Sequence, residues 1–450
     1  MRRRSVLAAV ATGALAGCAT SDDDQTQGTT TSEAPPPVPD TPGNDWERSG
    51  SRPDWERAAD RRIDEHRRTE LTVAADAGVE VEVAMLAPAY QFSTAYNVAR
   101  HRALPDGHPY REWVGRLFTD AVFENAYKWR RWLQPGTHEE MHDVMTFLRE
   151  RGVQVSGAPV VWQRRTEDVV PARVWDAVDA GRPDRVAALV DDHVRDLVGH
   201  WVGDHGVTEW VLVNEPLDAN ALARTIAPGD DRTSPAPVRE WFRVANDAAP
   251  DGRYGVNEYD ILAKDRPAYR DDYAALVEYL TDGDAPPDEV AFQGHTMGAA
   301  ETVSADELLA RLDRFAGLGD HDLVVSEFDT PGFASEQAAG DYLYRFLKTV
   351  YSHPDTVSFR LWGYWDGQHW RDDAPLFRED FSKKPGYHAY ANLVFDQWWT
   401  REAGALTDGA FSTTADLGRY RITVRGDDWE RHVVATVTDP SGVTVRVPTP

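Results

Sequence analysis

Two short stretches of the chain carry the residue types that cleavage of a sugar linkage needs. Residues 209–216, Glu-Trp-Val-Leu-Val-Asn-Glu-Pro, run from buried-strand character straight into Asn214 and Glu215. Residues 321–330, His-Asp-Leu-Val-Val-Ser-Glu-Phe-Asp-Thr, repeat the pattern and deliver Glu327 and Asp329, with 327 − 215 = 112 residues between the two glutamates. The C-terminal end of a parallel strand is where closed and open α/β sheets place their ligands. Two carboxylates delivered that way suit glycosidic cleavage, one as proton donor and the other as nucleophile, set about 5–5.5 Å apart in a retaining enzyme. On this reading Glu215 is the acid/base, Glu327 the nucleophile, Asn214 a partner for the sugar 2-hydroxyl, and His295 the group that orients Glu327, with Asp329 beside it. A single Glu is more commonly a helix cap or an ion-pair partner; two of them on separate strands, with Asn214 in front of the first, favour chemistry.

The elements that must position these groups follow from hydrophobic periodicity. Apolar runs of strand length occur at 94–98, 121–125, 153–162, 209–215, 254–259, 289–295, 323–329 and 357–364. Each is followed by a segment of helical period, such as 138–151 with Met141, Val144, Met145 and Leu148 on one face, or 305–315 with Leu308, Leu309, Leu312 and Phe315. Thr137 with Glu140, and Ser304 with Glu307, read as capping boxes. Eight strand–helix units predict an α/β fold, a closed (β/α)8 TIM barrel at 91–403. No glycine-rich phosphate loop follows a strand, which disfavours a nucleotide-binding sheet. The strand ends also present Glu124, Asn125, Trp162, Asn257, Glu258, Gln293, His295, Trp362 and Asp366. So many hydrogen-bonding groups at buried strand ends predict a polar ligand, because each one left unsatisfied costs about 1–3 kcal/mol. A sugar suits them, with Trp162, Trp362, Trp365 and Trp370 offering ring faces.

On either side the period changes to two. Residues 69–85 alternate around a turn at 76–78 and read as a hairpin, and 420–447 alternate around a turn at 426–428. The two flanks, 46–90 and 404–450, are expected to form one small β-layer. Residues 19–45 are Ser, Thr, Pro, Gly and Asp with little apolar content, the composition of a disordered tether. At the start, Arg2, Arg3 and Arg4 precede an apolar run too short to span a bilayer, and Leu15-Ala16-Gly17-Cys18 follows. Residues 1–18 therefore read as an export signal: the arginines resemble the twin-arginine leader, and the last four residues resemble a lipoprotein cleavage box with Cys18 as the lipidated residue.

The formal net charge is −27, and Arg supplies 43 of the 48 basic residues. Such a surface repels nucleic acid and anionic membranes and suits high salt, where screening weakens self-repulsion. The one cysteine allows no internal disulfide. His193, His200 and His205 form a possible metal cluster by composition. Their spacing does not present one face of an α-helix, so solvated histidines are expected and no metal. Helical Trp113, Trp201 and Trp241, and the pair Trp398 and Trp399, read as packing.

In order along the chain, these motifs resemble glycoside hydrolase family 10, the retaining endo-β-1,4-xylanases. Phe123 to Trp129 is similar to the family's Glu-Asn-x-Met-Lys-Trp motif, which implies that Glu124, Asn125 and Lys128 bind the sugar upstream of the cleavage point. Residues 210–215 resemble Trp-Asp-Val-Val-Asn-Glu, which ends in the acid/base. Asn257-Glu258-Tyr259 resembles Asn-Asp-Tyr, and Phe292 to His295 resembles the Gln-x-His strand. Ser326 to Asp329 resembles Thr-Glu-Leu-Asp, which carries the nucleophile, and Leu361 to Trp370 resembles the closing Trp-Gly strand. The likeness spans about residues 69–450. Its departures are Ala158 where the family places a sugar-binding His, and Tyr127 where it places Met. The resemblance implies a xylan-cleaving enzyme without a cofactor; with the leader, the expectation is an exported, monomeric protein held on the outer face of the membrane through Cys18. The alternatives are a non-catalytic glycan-binding barrel on the cell surface and the same chemistry on glucans.

Overall fold

The computed structural model describes residues 42, 46, 52–165 and 169–450. The expected leader with Cys18, and all of the expected tether except Pro42, lie outside the described residues. The chain divides into two compact units, one built from 58–90 and 393–450 and the other from 42–57 and 91–392.

In chain order the first unit contributes β1 (Arg68–Ala74) and β2 (Glu80–Pro88). The second contributes β3 (Gln91–Tyr96), β4 (Asp120–Phe123), β5 (Gln154–Ser156), β6 (Val161–Trp162), β7 (Glu209–Asn214), β8 (Arg253–Glu258), β9 (Glu289–Gly294), β10 (Asp322–Phe328) and β11 (Thr356–Leu361). The chain then returns to the first unit with β12 (Arg401–Ala405), β13 (Ala410–Asp416), β14 (Gly418–Arg425), β15 (Glu430–Val437) and β16 (Val443–Arg446).

The first unit is the β-layer expected of the flanks, made as two sheets in the orders β13-β1-β16 and β12-β2-β14-β15. The alternation of 69–85 is that of two strands, but they do not form a hairpin. β1 pairs with β13 and β16, whereas β2 pairs with β12 and β14. Period-two alternation reports that one face is buried and leaves the choice of partner open. The alternation at 418–437 is a true hairpin, β14 against β15. Leu71, Val73, Val81, Val83, Ile422, Val424 and Val433 are buried in this unit.

The second unit is the predicted (β/α)8 barrel. The parallel ladder runs β4-β3-β11-β10-β9-β8-β7, and the third barrel strand closes the ring in two pieces. Its first piece, β5, pairs with β4, and its second, β6, pairs with β7. Gly157 bridges the gap: its N–H donates to the Glu209 carbonyl at 2.8 Å, and the Gly157 carbonyl accepts from the Val211 N–H at 2.9 Å. Glycine is required there, since a Cβ at residue 157 would lie 2.0 Å from the Trp210 indole. Pro159 has no N–H to give the ladder, which explains why 153–162 is not one continuous strand.

Inside the barrel Arg360 of β11 donates to Ser93 of β3 at 3.0 Å and to Ser156 of β5 at 2.7 Å, and Ser156 donates to Asp120 of β4 at 2.9 Å. A buried guanidinium is thus matched by hydroxyls and a carboxylate, which a low-dielectric interior demands. Ser304 caps the helix Ala305–Ala316 as its box predicts, accepting from the Glu307 N–H. Thr137 does not cap. The helix Thr137–Arg149 is preceded by Gly136 at φ 80°, a left-handed conformation, and the Thr137 hydroxyl is buried without a hydrogen-bond partner.

Candidate active site

β7 is led by Glu209 and buried from Trp210 to Asn214; such a run of β-branched and aromatic residues fits a strand covered on both faces. The chain then turns sharply at Glu215, which takes φ 53°. A left-handed conformation is uncommon for a residue with a Cβ, and such strain gathers at functional sites. Glu215 is buried, and its three side-chain contacts come from donors. Oε1 accepts from Gln293 Nε2 of β9 at 3.0 Å. Oε2 accepts from Trp162 Nε1 of β6 at 3.0 Å and from Arg164 Nε at 2.8 Å.

Glu327, near the end of β10, is held by two other side chains. Asn257 Nδ2 of β8 donates to Oε1 at 2.9 Å and also to Asn214 Oδ1 at 2.8 Å, while Ser326 donates to Asn257 Oδ1 at 2.6 Å. His295 Nε2 lies 3.2 Å from Glu327 Oε2, and its Nδ1 lies 2.8 Å from Asp329 Oδ2. Burial alone would lower the pKa of His295, but Asp329 and then Glu327 outweigh it and push it up to about 10. The ring is an imidazolium at neutral pH, able to donate from both nitrogens. Asp329, fully buried, is resisted by desolvation, yet the His295 charge holds its carboxyl below the usual range. Trp370 Nε1 donates to the same Asp329 oxygen at 2.7 Å. Glu327 and Glu215 therefore face one mouth, linked through neighbouring strands, β8 for the first and β9 for the second.

The remaining predicted groups surround this pair. Glu124 accepts from Asn97 at 2.8 Å and from Gln368 at 3.4 Å. The Lys128 ammonium lies 5.0 Å from the centre of the Trp162 ring, and the Arg164 guanidinium lies 5.6 Å from it, both at cation–π range. Asn125 is exposed, with no side-chain hydrogen bond among the described residues. Trp362 packs on an apolar cluster of Ala95, Val122, Ala158 and Val211, so the position where the family has its His is here part of an apolar wall. Trp370 is 46% exposed and its ring centroid lies 4.9 Å from that of His295, as an open platform would.

Three expectations need correction. Trp365 is buried and stacked on Phe381, so it offers no face to a ligand. Asp366 serves its own loop, receiving Lys384 at 2.8 Å and the Ala374 N–H at 2.7 Å. His193 is not solvated: it is buried, bonded to the Val160 carbonyl at 3.0 Å and stacked on Trp129. Sequence reasoning missed Asn97, Gln368 and above all Arg164. The available signal for Arg164 was position alone, two residues beyond Trp162 at a strand end. Arg164 also borders a cavity of about 650 Å³ lined with Gln163, Asp218, Arg224 and Tyr259, which contains neither glutamate. Arg164 joins this cavity to the Glu215 carboxylate.

A (β/α)8 barrel that brings two strand-end glutamates to one mouth defines a glycoside hydrolase. Residues 84–393, more than two thirds of the chain, match Glycosyl hydrolase family 10, and the chain belongs to that family. It is similar to the anti-sigma-I factor RsgI6 of Acetivibrio thermocellus, 27% identical over 389 residues; the match takes in 82% of this chain and 46% of that protein's length. It is also similar to endo-1,4-beta-xylanase 5 of Pyricularia oryzae, 25% identical over 68% of this chain and 77% of that protein. Among solved structures, native xylanase 10B from Thermotoga maritima shares the fold with a TM-score of 0.57 and 22% identity, over 68% of this chain and 95% of that one.

Proposed function

We propose that the protein is a retaining endo-β-1,4-xylanase with Glu215 as acid/base and Glu327 as nucleophile. The observation that carries this reading is the contrast between the two carboxylates. Glu327 is fixed by Asn257 and the His295 imidazolium, as a nucleophile should be, whereas Glu215 sits at a strained turn with one oxygen held partly by Arg164, a half-exposed loop side chain that also lines a cavity. Glu327 attacks the anomeric carbon while Glu215 passes its proton to the departing glycosidic oxygen; a water then gives its proton to Glu215 and displaces Glu327, so the configuration is kept. Asn214 bonds the 2-hydroxyl of the reacting sugar, Glu124, Asn125 and Lys128 hold the sugars upstream of it, and Trp162, Trp362 and Trp370 supply ring faces. The names of the fungal and Thermotoga relatives support xylan over glucan. Belonging to this family weighs against a retired, binding-only barrel.

The test is a polysaccharide panel in molar salt, read as reducing ends, with proton NMR of the first anomer released and a 2-fluoro-xylobioside to trap the nucleophile. Xylan cleavage, retained configuration and a label on Glu327 are the expected results; binding without reducing ends or label would remove the enzymatic reading. The proposal extends to an exported, monomeric protein suited to high salt and tethered by lipid at Cys18, supported by the leader and the charge of −27. Loss of fatty-acid labelling and of membrane partition in Cys18→Ser checks the anchor.

A further inference from the structure

The helix Pro183–Val198 does not end where its α-helical pattern ends. Residues Gly199–Asp204 continue it as a π-turn, directly before the loop that enters β7. In an α-helix a five-residue step rotates a side chain by about 140° around the axis, so His200 and His205 would point apart. In a π-turn the bonded neighbours are five apart. The two imidazoles accordingly come together, with ring centroids 4.7 Å apart. A third histidine approaches from the helix Thr137–Arg149: His142 Nε2 lies 3.0 Å from His200 Nε2, and its ring centroid is 4.0 Å from that of His205.

One nitrogen from each of these three rings lies within 4.8 Å of the other two. A hydrogen bond between His142 and His200 accounts for one contact and leaves the His205 ring with no hydrogen bond among the described residues. None of the three makes an ion pair with a carboxylate among the described residues, so no anion explains the convergence. His138 stands beside the group, but its Nε2 is engaged with the Trp132 carbonyl at 3.0 Å.

We infer that His142, His200 and His205 form a binding site for a divalent transition metal of the zinc, cobalt or nickel type. Imidazole nitrogens suit these ions, bound at about 2.0–2.1 Å. Ligand nitrogens around one tetrahedral ion are then about 3.3 Å apart. The pair His142 and His200, at 3.0 Å, is close to that separation, and a nitrogen of His205 lies within 4.8 Å of both. All three rings are half-buried, which leaves a coordination position for water. His205 lies four residues before β7, toward the N-terminal face of the barrel, where side chains act on stability rather than on the reaction. The ion joins two neighbouring barrel helices as a staple.

The experiment uses the untagged chain after chelator treatment, titrated with Co²⁺ by visible absorption and with Zn²⁺ by calorimetry, with thermal unfolding in parallel. Expected are one ion per chain, a Kd in the micromolar range or tighter, and a rise in Tm of several degrees with Zn²⁺. His142→Ala and His205→Ala should each weaken binding at least tenfold, with His142→Gln as a bulk-preserving second variant and His432→Ala as a control outside the cluster. Wild-type binding no tighter than that of the triple alanine variant, or a Tm indifferent to Zn²⁺, would overturn the site. Neither readout depends on glycosidase activity, so the metal and the enzymatic reading fail separately.

Discussion

Arg164 reaches one oxygen of Glu215 from two nitrogens, Nε at 2.8 Å and Nη2 at 2.7 Å. An acid/base group must offer an oxygen to the departing sugar, yet both oxygens of Glu215 are occupied. Gln293 and Trp162 come from barrel strands and stay, whereas Arg164 lies on the loop beyond β6 with its side chain 35% exposed. Substrate is therefore expected to displace Arg164. A partly exposed pair of this kind is worth about 1 kcal/mol or less. Arg164→Met should raise kcat/KM on neutral xylo-oligosaccharides by up to about fivefold. A fall of tenfold or more would instead mean that Arg164 remains in place and touches the substrate.

The two glutamates should separate kinetically. A proton donor matters most when the leaving group is poor, and general acid catalysis supplies about 10²–10⁴-fold. Glu215→Ala should lose that much on xylan, keep most of its activity on a dinitrophenyl xyloside for bond cleavage, and respond to added azide. Glu327→Ala should be inactive on both. Steady-state rates on the two substrates check this; equal losses for both variants on both substrates would remove the assignment.

Alkaline pH should weaken the fold through two groups in the site region. His295 ordinarily titrates near 6.5 and is pushed up to about 10 in the folded protein. Its stabilising contribution is complete below about 6.5 and is lost as pH rises towards 10, because the unfolded chain has already released the proton. Burial pushes Glu258 from its ordinary 4.5 up to about 8, outweighing its bonds from the Tyr259 and Leu217 N–H groups. Its native state also holds a proton the unfolded state has lost, so stability falls from about 4.5 to 8. Tm should therefore decline from pH 7 to 10. In His295→Gln the decline should stop near pH 8, where the Glu258 share ends; a slope unchanged above pH 8 would contradict the role given to His295.

How far the sequence reached follows from what its signals report. Apolar runs ending in Asn214 and Glu215, or in Glu327 and Asp329, named a strand, an end and a chemistry at once, so barrel and carboxylate pair were legible. Thr137 misled because a Thr with a Glu three residues on is only permissive, and Gly136 set the helix entry instead. The break in the third strand follows from Pro159, but the way Gly157 bridges it depends on its close approach to Trp210, a contact between residues 53 apart in the chain. Arg164 lies in a loop, where no periodicity speaks. The histidine cluster was missed because its spacing was tested against an α-helix, and the helix is widened into a π-turn at that place.

The last prediction concerns a buried ion pair, Lys348 with Glu56, whose carboxylate also lies 3.9 Å from the more exposed Arg52. Lys348, one of five lysines in the chain, is fully buried on the helix Glu336–Ser352, and its ammonium lies 3.3 Å from Oε1 of the equally buried Glu56. Tyr344 donates to the same oxygen at 2.9 Å. Removing one partner of a buried pair leaves the other charge desolvated, at a cost of about 3–5 kcal/mol, whereas replacing both by apolar groups is often neutral or stabilising. Lys348→Met should thus lower unfolding stability by about that amount. Adding Glu56→Leu to Lys348→Met should recover most of it, even though the native contacts of Glu56 with Lys348, Tyr344 and Arg52 are then gone. Urea unfolding in constant salt reads both. If the double variant is weaker than the single one, the pair itself contributes net stability, and its energetics are those of attraction rather than of mutual concealment from water.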